Sequence, residues 1–352
     1  MIKKFICLFM CAILMFMLSG CSLLEKFGIG KDDNENEESE TSVTASREEL
    51  ESQVSALESE LESYKAQTEP SLVPKSKADY INGKNNPAVS VAVEAKDKAM
   101  ENLPETITIK GVEYSTSLTT LTINNKDLTD DDIKDLKYMV NLTELHMYQN
   151  NITDLSPITG ITGLKTLSLF KNNISDLTPL SGLLNLEVLY LRSNNISDIS
   201  PLAGLKNLKN LDLSFNKIKD VSALSELNSI DMLRLNDNEI TDIKGIEDMK
   251  GLTILHLQNN KISDISPLWK MTVISELYVD NNNISDITII GDISSLQWLK
   301  LSNNPIEDIS PVSTLHNLKK LWIAGVEYKV TDEYNQLEEL QSNIPDCHII
   351  TK

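Results

Sequence analysis

From Leu142 onward one pattern returns every 22 residues, Leu142-x-x-Leu145-x-Met147-x-x-Asn150-x-Ile152-x-Asp154. An asparagine column runs through Asn150, Asn172, Asn194, Asn216, Asn238, Asn260, Asn282 and Asn304 without exception. Beside it stands an aspartate column of Asp154, Asp176, Asp198, Asp220, Asp242, Asp264, Asp286 and Asp308. Apolar residues fill positions 1, 4, 6, 11, 14, 17 and 20 of almost every unit. No unit of this length can bury its apolar face alone, so the period restricts the chain to a stack of like coils with a continuous core.

The columns have mechanical causes. Positions 4 and 6 alternate as in a strand, which turns them inward and the residues between them outward. Strands this short need neighbours, and stacking supplies a parallel sheet at about 4.8 Å per coil. Apolar spacing of three from position 11 to position 20 suits an extended turn followed by 3₁₀-like backbone. The asparagine amide both donates and accepts, so it can bridge the turn from inside as the strand ends. Asp-x-Ser-Pro, as from Asp264 to Pro267, sets a capping carboxylate before a proline of fixed φ. A single file of aspartates offers too few converging oxygens for calcium, so no metal ladder is expected.

The 22-residue Asn-x-Ile-x-Asp-Ile-x-Pro-Leu unit resembles the leucine-rich repeat in its internalin form, over roughly residues 100–350. The resemblance implies an α/β solenoid with a parallel sheet on its concave side. About nine to ten coils are expected between an N-terminal cap with an imperfect first repeat (96–141) and a C-terminal cap (326–352), with regular repeats over 142–325. The first unit has Leu118, Leu121, Ile123 and Leu128 with Lys126 in the asparagine place, and Val326 ends that column at the far side. Glu333 to Leu340 reads as a capping helix and Cys347 to Ile350 as a closing strand. Cys347 lies among apolar neighbours and is expected to be a buried small hydrophobe.

Ahead of the repeats lie four segments of different physics. In residues 1–20, Lys3 and Lys4 precede an apolar run of 14 residues from Phe5 to Leu18. At roughly 1.5 Å per residue that run is too short to span a bilayer, so it reads as a secretory signal. The following Leu18-Ser19-Gly20-Cys21 resembles the bacterial lipobox, which implies cleavage before Cys21, a diacylglycerol thioether on its sulfur and attachment to the outer face of a membrane through the two acyl chains. Residues 21–45 include KDDNENEESETS, strongly acidic and nearly free of apolar side chains, and read as an extended linker. In 46–68, Leu50, Val54, Leu57, Leu61 and Tyr64 fall at heptad spacing, short of the three to four heptads of an assured coiled coil. Weak self-association through 50–64 and a solvated lone helix both fit. Residues 69–95 read as loop, with Pro70, Pro74, Asn82-Gly83 and Asn85-Asn86-Pro87.

Composition narrows the function. A net charge of -20 argues against nucleic acid, which demands a basic stripe. Three of the four cysteines lie in the first 21 residues, which leaves no disulfide framework or four-thiolate zinc site for the body. His146 and His256 share a column five coils apart, roughly 24 Å, and cannot share a proton or a metal. No HExxH, GxSxG, Walker loop or CxxC is present. A non-enzyme without cofactor is expected.

The strand residues that face outward are where a ligand would meet the arc. One column runs Thr122, His146, Ser168, Tyr190, Asp212, Arg234, His256, Tyr278, Lys300 and Trp322, and the next carries Tyr148, Phe170, Arg192 and Asp280. Trp298 and Phe215 join them from flanking columns. After Phe27 the only phenylalanines are Phe170 and Phe215, both on this face. Aromatics and arginine dominate interface hot spots, so a protein partner is expected here; a wall glycan stacking on Tyr and Trp is the rival. Ring-on-ring stacking between neighbouring coils would also account for some of these aromatics. The sequence shows no LPxTG-like sorting motif and no Ig-like domain after the repeats, so host adhesion is not expected to transfer from the internalins.

Overall fold

The computed structural model describes residues 87–330 and 335–352. The signal, lipobox, acidic linker and heptad expectations lie outside the described residues. A helix α1 (Pro87–Glu101) opens this region, followed by an antiparallel hairpin of β1 (Thr106–Ile109) and β2 (Val112–Ser115). The second sheet is parallel and eleven-stranded, and its order follows the chain. Its strands are β3 (Thr120–Thr122), β4 (Glu144–His146), β5 (Thr166–Ser168), β6 (Val188–Tyr190), β7 (Asn210–Asp212), β8 (Met232–Arg234), β9 (Ile254–His256), β10 (Glu276–Tyr278), β11 (Trp298–Lys300), β12 (Lys320–Trp322) and β13 (His348–Ile350). A one-turn helix α2 (Asp130–Ile133) lies between β3 and β4, and α3 (Gln336–Asn343) precedes β13. The ten strands β3 to β12 belong to the coils, and β13 closes the end.

Register is uniform. Leu121, Leu145, Leu167, Leu189, Leu211, Leu233, Leu255, Leu277, Leu299 and Leu321 pair in line and end on Ile349. Each coil drives the same apolar set into the core: in the β6 coil Leu189, Leu191, Ile196, Ile199, Leu202, Leu205 and Leu208 are all buried. Burying each such side chain contributes roughly 1.5–3 kcal/mol, an upper bound because unfolded chains bury some surface too. The spacing-three stretch is indeed 3₁₀, as in Ser200–Leu202 and Ser266–Lys270.

Both polar columns are scaffold. Each asparagine Oδ1 accepts an N–H of the preceding coil at 3.0–3.1 Å, from Leu128 N to Asn150 through Ile284 N to Asn304. Its Nδ2 donates to a carbonyl three residues back and to another one coil away, for Asn216 those of Leu213 and Leu191. Each aspartate of the other column accepts the N–H two residues on, at 2.7–2.9 Å, as Asp264 does from Ser266.

The caps depart from expectation in two places. Residues 87–95, read as loop, are helical: Pro87 takes the first helical position, where its missing N–H costs nothing, and the following run is rich in alanine. Ala88, Ala92 and Ala99 are buried as α1 packs across the turns Lys134–Tyr138 and Thr178–Leu180. Close approach is allowed by Gly160 and Gly182, where an added Cβ would lie 2.7 Å from Lys96 N and 2.5 Å from Ala92 Cβ. At the far end the helix begins at Gln336 rather than Glu333, because Asn335 caps it by accepting from Leu337 N at 3.0 Å. Gln336 then donates to Asp308 Oδ1 at 2.7 Å, tying cap to column. Cys347 is buried, and burial pushes its thiol up to about 11. No described helix is long and apolar enough to cross a membrane.

Candidate functional site

Strand pairing sets the outward face. In register across β3 to β12 stand Thr122, His146, Ser168, Tyr190, Asp212, Arg234, His256, Tyr278, Lys300 and Trp322. Each is flanked by buried apolar residues, a leucine before it and a leucine, isoleucine, methionine or valine after it, so the strand alternation decides the direction of every side chain in the row. The face divides into two regions of different chemistry.

In the N-terminal region the rings of Tyr148 and Phe170 stack, centroids 4.2 Å apart. Arg192 stands over the Phe215 ring at 4.7 Å, and Phe215 is 43% exposed. Phe170, Lys171, Tyr190, Arg192, Asp212 and Arg234 line a shallow recess of about 350 Å³. Asp212 is nearly buried, and its Oδ1 accepts both the N–H (3.0 Å) and the hydroxyl (2.5 Å) of Ser214. Among the described residues neither arginine forms an ion pair with a carboxylate.

In the C-terminal region charges and rings satisfy one another. His256 stacks on Tyr278 (4.4 Å, 11°) and its Nε2 lies 2.9 Å from Glu276 Oε1. Burial pulls the His256 pKa down against that carboxylate, helped by the charges of Arg234 and Lys300. Lys300 sits 4.1 Å from the Tyr278 centroid and 4.9 Å from that of Trp322, and those two rings meet edge-on at 6.2 Å. Burial, with Glu276 beside it, raises the Tyr278 phenol well above its usual range. Burial also raises the Asp280 carboxyl, whose Oδ1 is enclosed without a hydrogen-bond partner, as is Oε1 of Gln258 one coil earlier. Trp298 is 37% exposed at the edge of this cluster.

The family description "Leucine Rich repeats (2 copies)" matches residues 140–182, 184–226, 228–268, 250–292 and 294–344. Internalin C2 of Listeria monocytogenes is 30% identical, with a TM-score of 0.52, over 61% of this chain and 93% of that one. The chain is an internalin-type leucine-rich repeat protein. InlJ of the same organism shares the fold at 20% identity and a TM-score of 0.55, over 78% of this chain and 60% of its own. So does a chain from the octameric complex of latrophilin 3, Unc5D and the leucine-rich repeat protein FLRT2, at 19% identity and a TM-score of 0.56 over 72% and 88%. No curated protein matches the sequence.

Within this internalin-type sheet the expected face residues do not form one patch. Phe170, Tyr190, Arg192, Phe215 and Arg234 gather in the N-terminal region; His256, Tyr278, Asp280, Trp298, Lys300 and Trp322 gather in the C-terminal one. Tyr148 joins the first by its stack on Phe170, while His146 stands apart beside Glu144 at 4.0 Å. Outward columns are not wholly exposed, since Ser168, Asp212, Ser214 and Asn236 are buried by larger neighbours. Coil-to-coil stacking does account for Tyr148, His256 and Tyr278, as the sequence allowed.

Two features escaped the sequence reading. Trp269, 60% exposed, lies in the 3₁₀ turn Ser266–Lys270 away from the strands, and nothing in the repeat marks it beyond its following Leu268. The residue before each column asparagine is left-handed, with φ of 54–58° from Gln149 through Asn303. Asparagine and aspartate suit that conformation, and Phe215 (φ 56°) occupies it against the backbone preference of a bulky side chain. The signal was a phenylalanine in a column otherwise filled by polar residues.

Proposed function

We propose that the chain is a binding module held on the outer face of a bacterial membrane through lipidated Cys21, presenting the strand face of its solenoid to a protein partner. The observation that carries this reading is Phe215: an exposed aromatic retained at a left-handed position, with a guanidinium over its ring. Strained positions that persist on a surface point to use rather than to folding. The likeness in fold to a chain from the octameric complex of latrophilin 3, Unc5D and FLRT2 supports a protein ligand. Leucine-rich repeats serve as interaction surfaces generally, and a membrane-held arc with a long acidic linker before it is arranged to reach a partner outside the cell.

The test is capture with the intact chain. Alanine at Tyr190, Phe215, Tyr278 and Trp298 should weaken partner capture, with losses on the order of 2 kcal/mol for central positions, while Lys219→Ala and Lys244→Ala should not. Four variants that fold and capture normally would overturn the face assignment. Anchoring is tested separately by Cys21→Ser, which should abolish fatty-acid labelling. A glycan reading has one observation of its own: exposed Asn259, Asn281 and Asn303 form an amide column in the same run of coils as Tyr278, Trp298 and Trp322, residue types that suit a sugar. Capture of purified wall glycan by the intact chain, lost in Trp298→Ala, would favour it. Self-association through 50–64 belongs to the same proposal and is read by the oligomeric state of the anchored chain.

A further inference from the structure

Several lysines of this chain find a carboxylate in a neighbouring coil. Lys165 and Lys209 both approach Glu187, Lys219 and Lys261 both approach Glu239, and Lys270 reaches Asp248 and Glu247. Lys171, Arg192 and Arg234 on the outward face instead line one recess together and form no ion pair among the described residues. The one carboxylate in the recess, Asp212, is adjacent to Arg234 in register, yet its Oδ1 is taken by Ser214. The recess thus carries three cations against one nearly buried carboxylate in a chain of net charge -20.

Guanidinium forks match carboxylates in a planar, two-pronged way, and they do so best where rings exclude water. Phe170 and Tyr190 supply such rings, and Arg192 is already steadied over Phe215. Cationic donors with no internal acceptor, above an apolar floor, suit an acidic side chain that stands next to an aromatic or aliphatic one.

We infer that this recess is the anchor point for an acidic segment of the partner protein, a carboxylate held between Arg192 and Arg234 with its neighbouring apolar side chain on Phe170 and Tyr190. This deepens the binding-face reading and rests on it. The net negative charge of the chain then disfavours an acidic partner over much of the remaining surface, which helps to fix register as well as affinity.

The chain has three arginines, Arg47, Arg192 and Arg234, so the intact protein labelled with ¹⁵N-arginine should give three resolvable side-chain Nε–H signals. Phenylacetate is the minimal probe, phenylacetamide its uncharged match, and inorganic phosphate the anion without a ring. Phenylacetate should move the Arg192 and Arg234 signals saturably and leave Arg47 still, with phenylacetamide at least about tenfold weaker. Arg192→Gln should abolish the response at Arg234, and Arg234→Gln that at Arg192. No saturable shift, equal response to the amide, or response to phosphate alone would each overturn the inference. So would movement of both signals, without any probe, in a chain carrying glutamine at Glu35, Glu37, Glu38 and Glu40, because the recess would then be filled by the chain's own acidic stretch. The two readings fail separately. Partner capture lost in Phe215→Ala but retained in Arg192→Gln and Arg234→Gln would leave the binding face standing and remove the carboxylate from it.

Discussion

Two regions of one sheet, centred on Tyr190 and Tyr278 four coils apart, treat charge in opposite ways. Around Tyr278 the cationic groups have internal partners: His256 meets Glu276, and Lys300 lies against two rings. Around Tyr190 the arginines have rings beside them but no carboxylate, and Asp212 is turned to Ser214. The first arrangement stabilises the folded chain and costs a ligand its desolvation. The second leaves strong donors to be satisfied from outside. Since the in-register leucines and the asparagine ladder are shared, the difference in charge pairing lies in the outward columns.

That claim can be broken at the scaffold first, where the largest effects are expected. Asn216→Ala and Asn282→Ala each remove the acceptor for one backbone N–H and the donor for two or more carbonyls. Each should cost about 1–3 kcal/mol in denaturant unfolding, and the two costs should agree, with Asn216, the less enclosed, at the lower end. A large disparity between them would mean that the regions differ below the surface as well.

The second comparison sets cation against cation. Lys300→Ala gives up contacts with Tyr278 and Trp322 in a partly buried setting and should destabilise by about 1 kcal/mol. Arg234→Gln should change stability by under about 0.5 kcal/mol, since no ion pair is lost. Equal losses would show that the recess is as self-satisfied as its neighbour.

Acid sharpens the contrast a third time, because His256 and Asp280, whose pKa values are shifted by burial, both lie in the C-terminal region. The lowered His256 pKa means that the unfolded chain binds this proton first, so stability falls as pH drops through the unfolded value near 6.5. His256→Phe should flatten that slope. The raised Asp280 carboxyl has the opposite sign: its buried charge opposes folding at neutral pH, and the penalty is relieved as pH falls through its raised folded-state pKa. Asp280→Asn lets the new amide donate toward Gln258 Oε1 and should stabilise at pH 7 by about 1 kcal/mol, with a smaller gain in acid. Absence of any gain at pH 7 would mean that water already satisfies both oxygens.

Most of this molecule was legible because repetition turns weak signals into columns. Asn150 alone would say little, whereas eight asparagines in register fix the turn, the strand before it and the direction of Tyr190 or Arg234. The caps were less legible for the same reason, since neither has a second copy to confirm it. A Pro87 read as a loop residue serves a helix just as well, and the true start of α3 depends on Asn335, a local contact. The face was legible in direction but not in pairing. That His256 would turn to Glu276 while Arg234 would leave Asp212 to Ser214 depends on rotamer choice across strands, which the column pattern does not encode.

The smallest expected effect bears most directly on use. Phe215 holds φ at 56°, where the same position in later coils is Asp237, Asn259, Asn281 and Asn303. Phe215→Asn should recover about 1 kcal/mol of backbone preference and lose roughly 0.5–1 kcal/mol of contact with Arg192. The net change in stability should therefore lie within about 0.5 kcal/mol, close to the error of a denaturant titration. Partner capture, in contrast, should fall by the margin of a hot spot, because the ring and the guanidinium it steadies are lost together. A thermal or denaturant midpoint that drops well beyond that band would place the ring among the groups that hold the coils together. A midpoint that stays put while capture fails would leave the aromatic no role in folding, and its cost to the backbone would then be explained only by what it touches from outside.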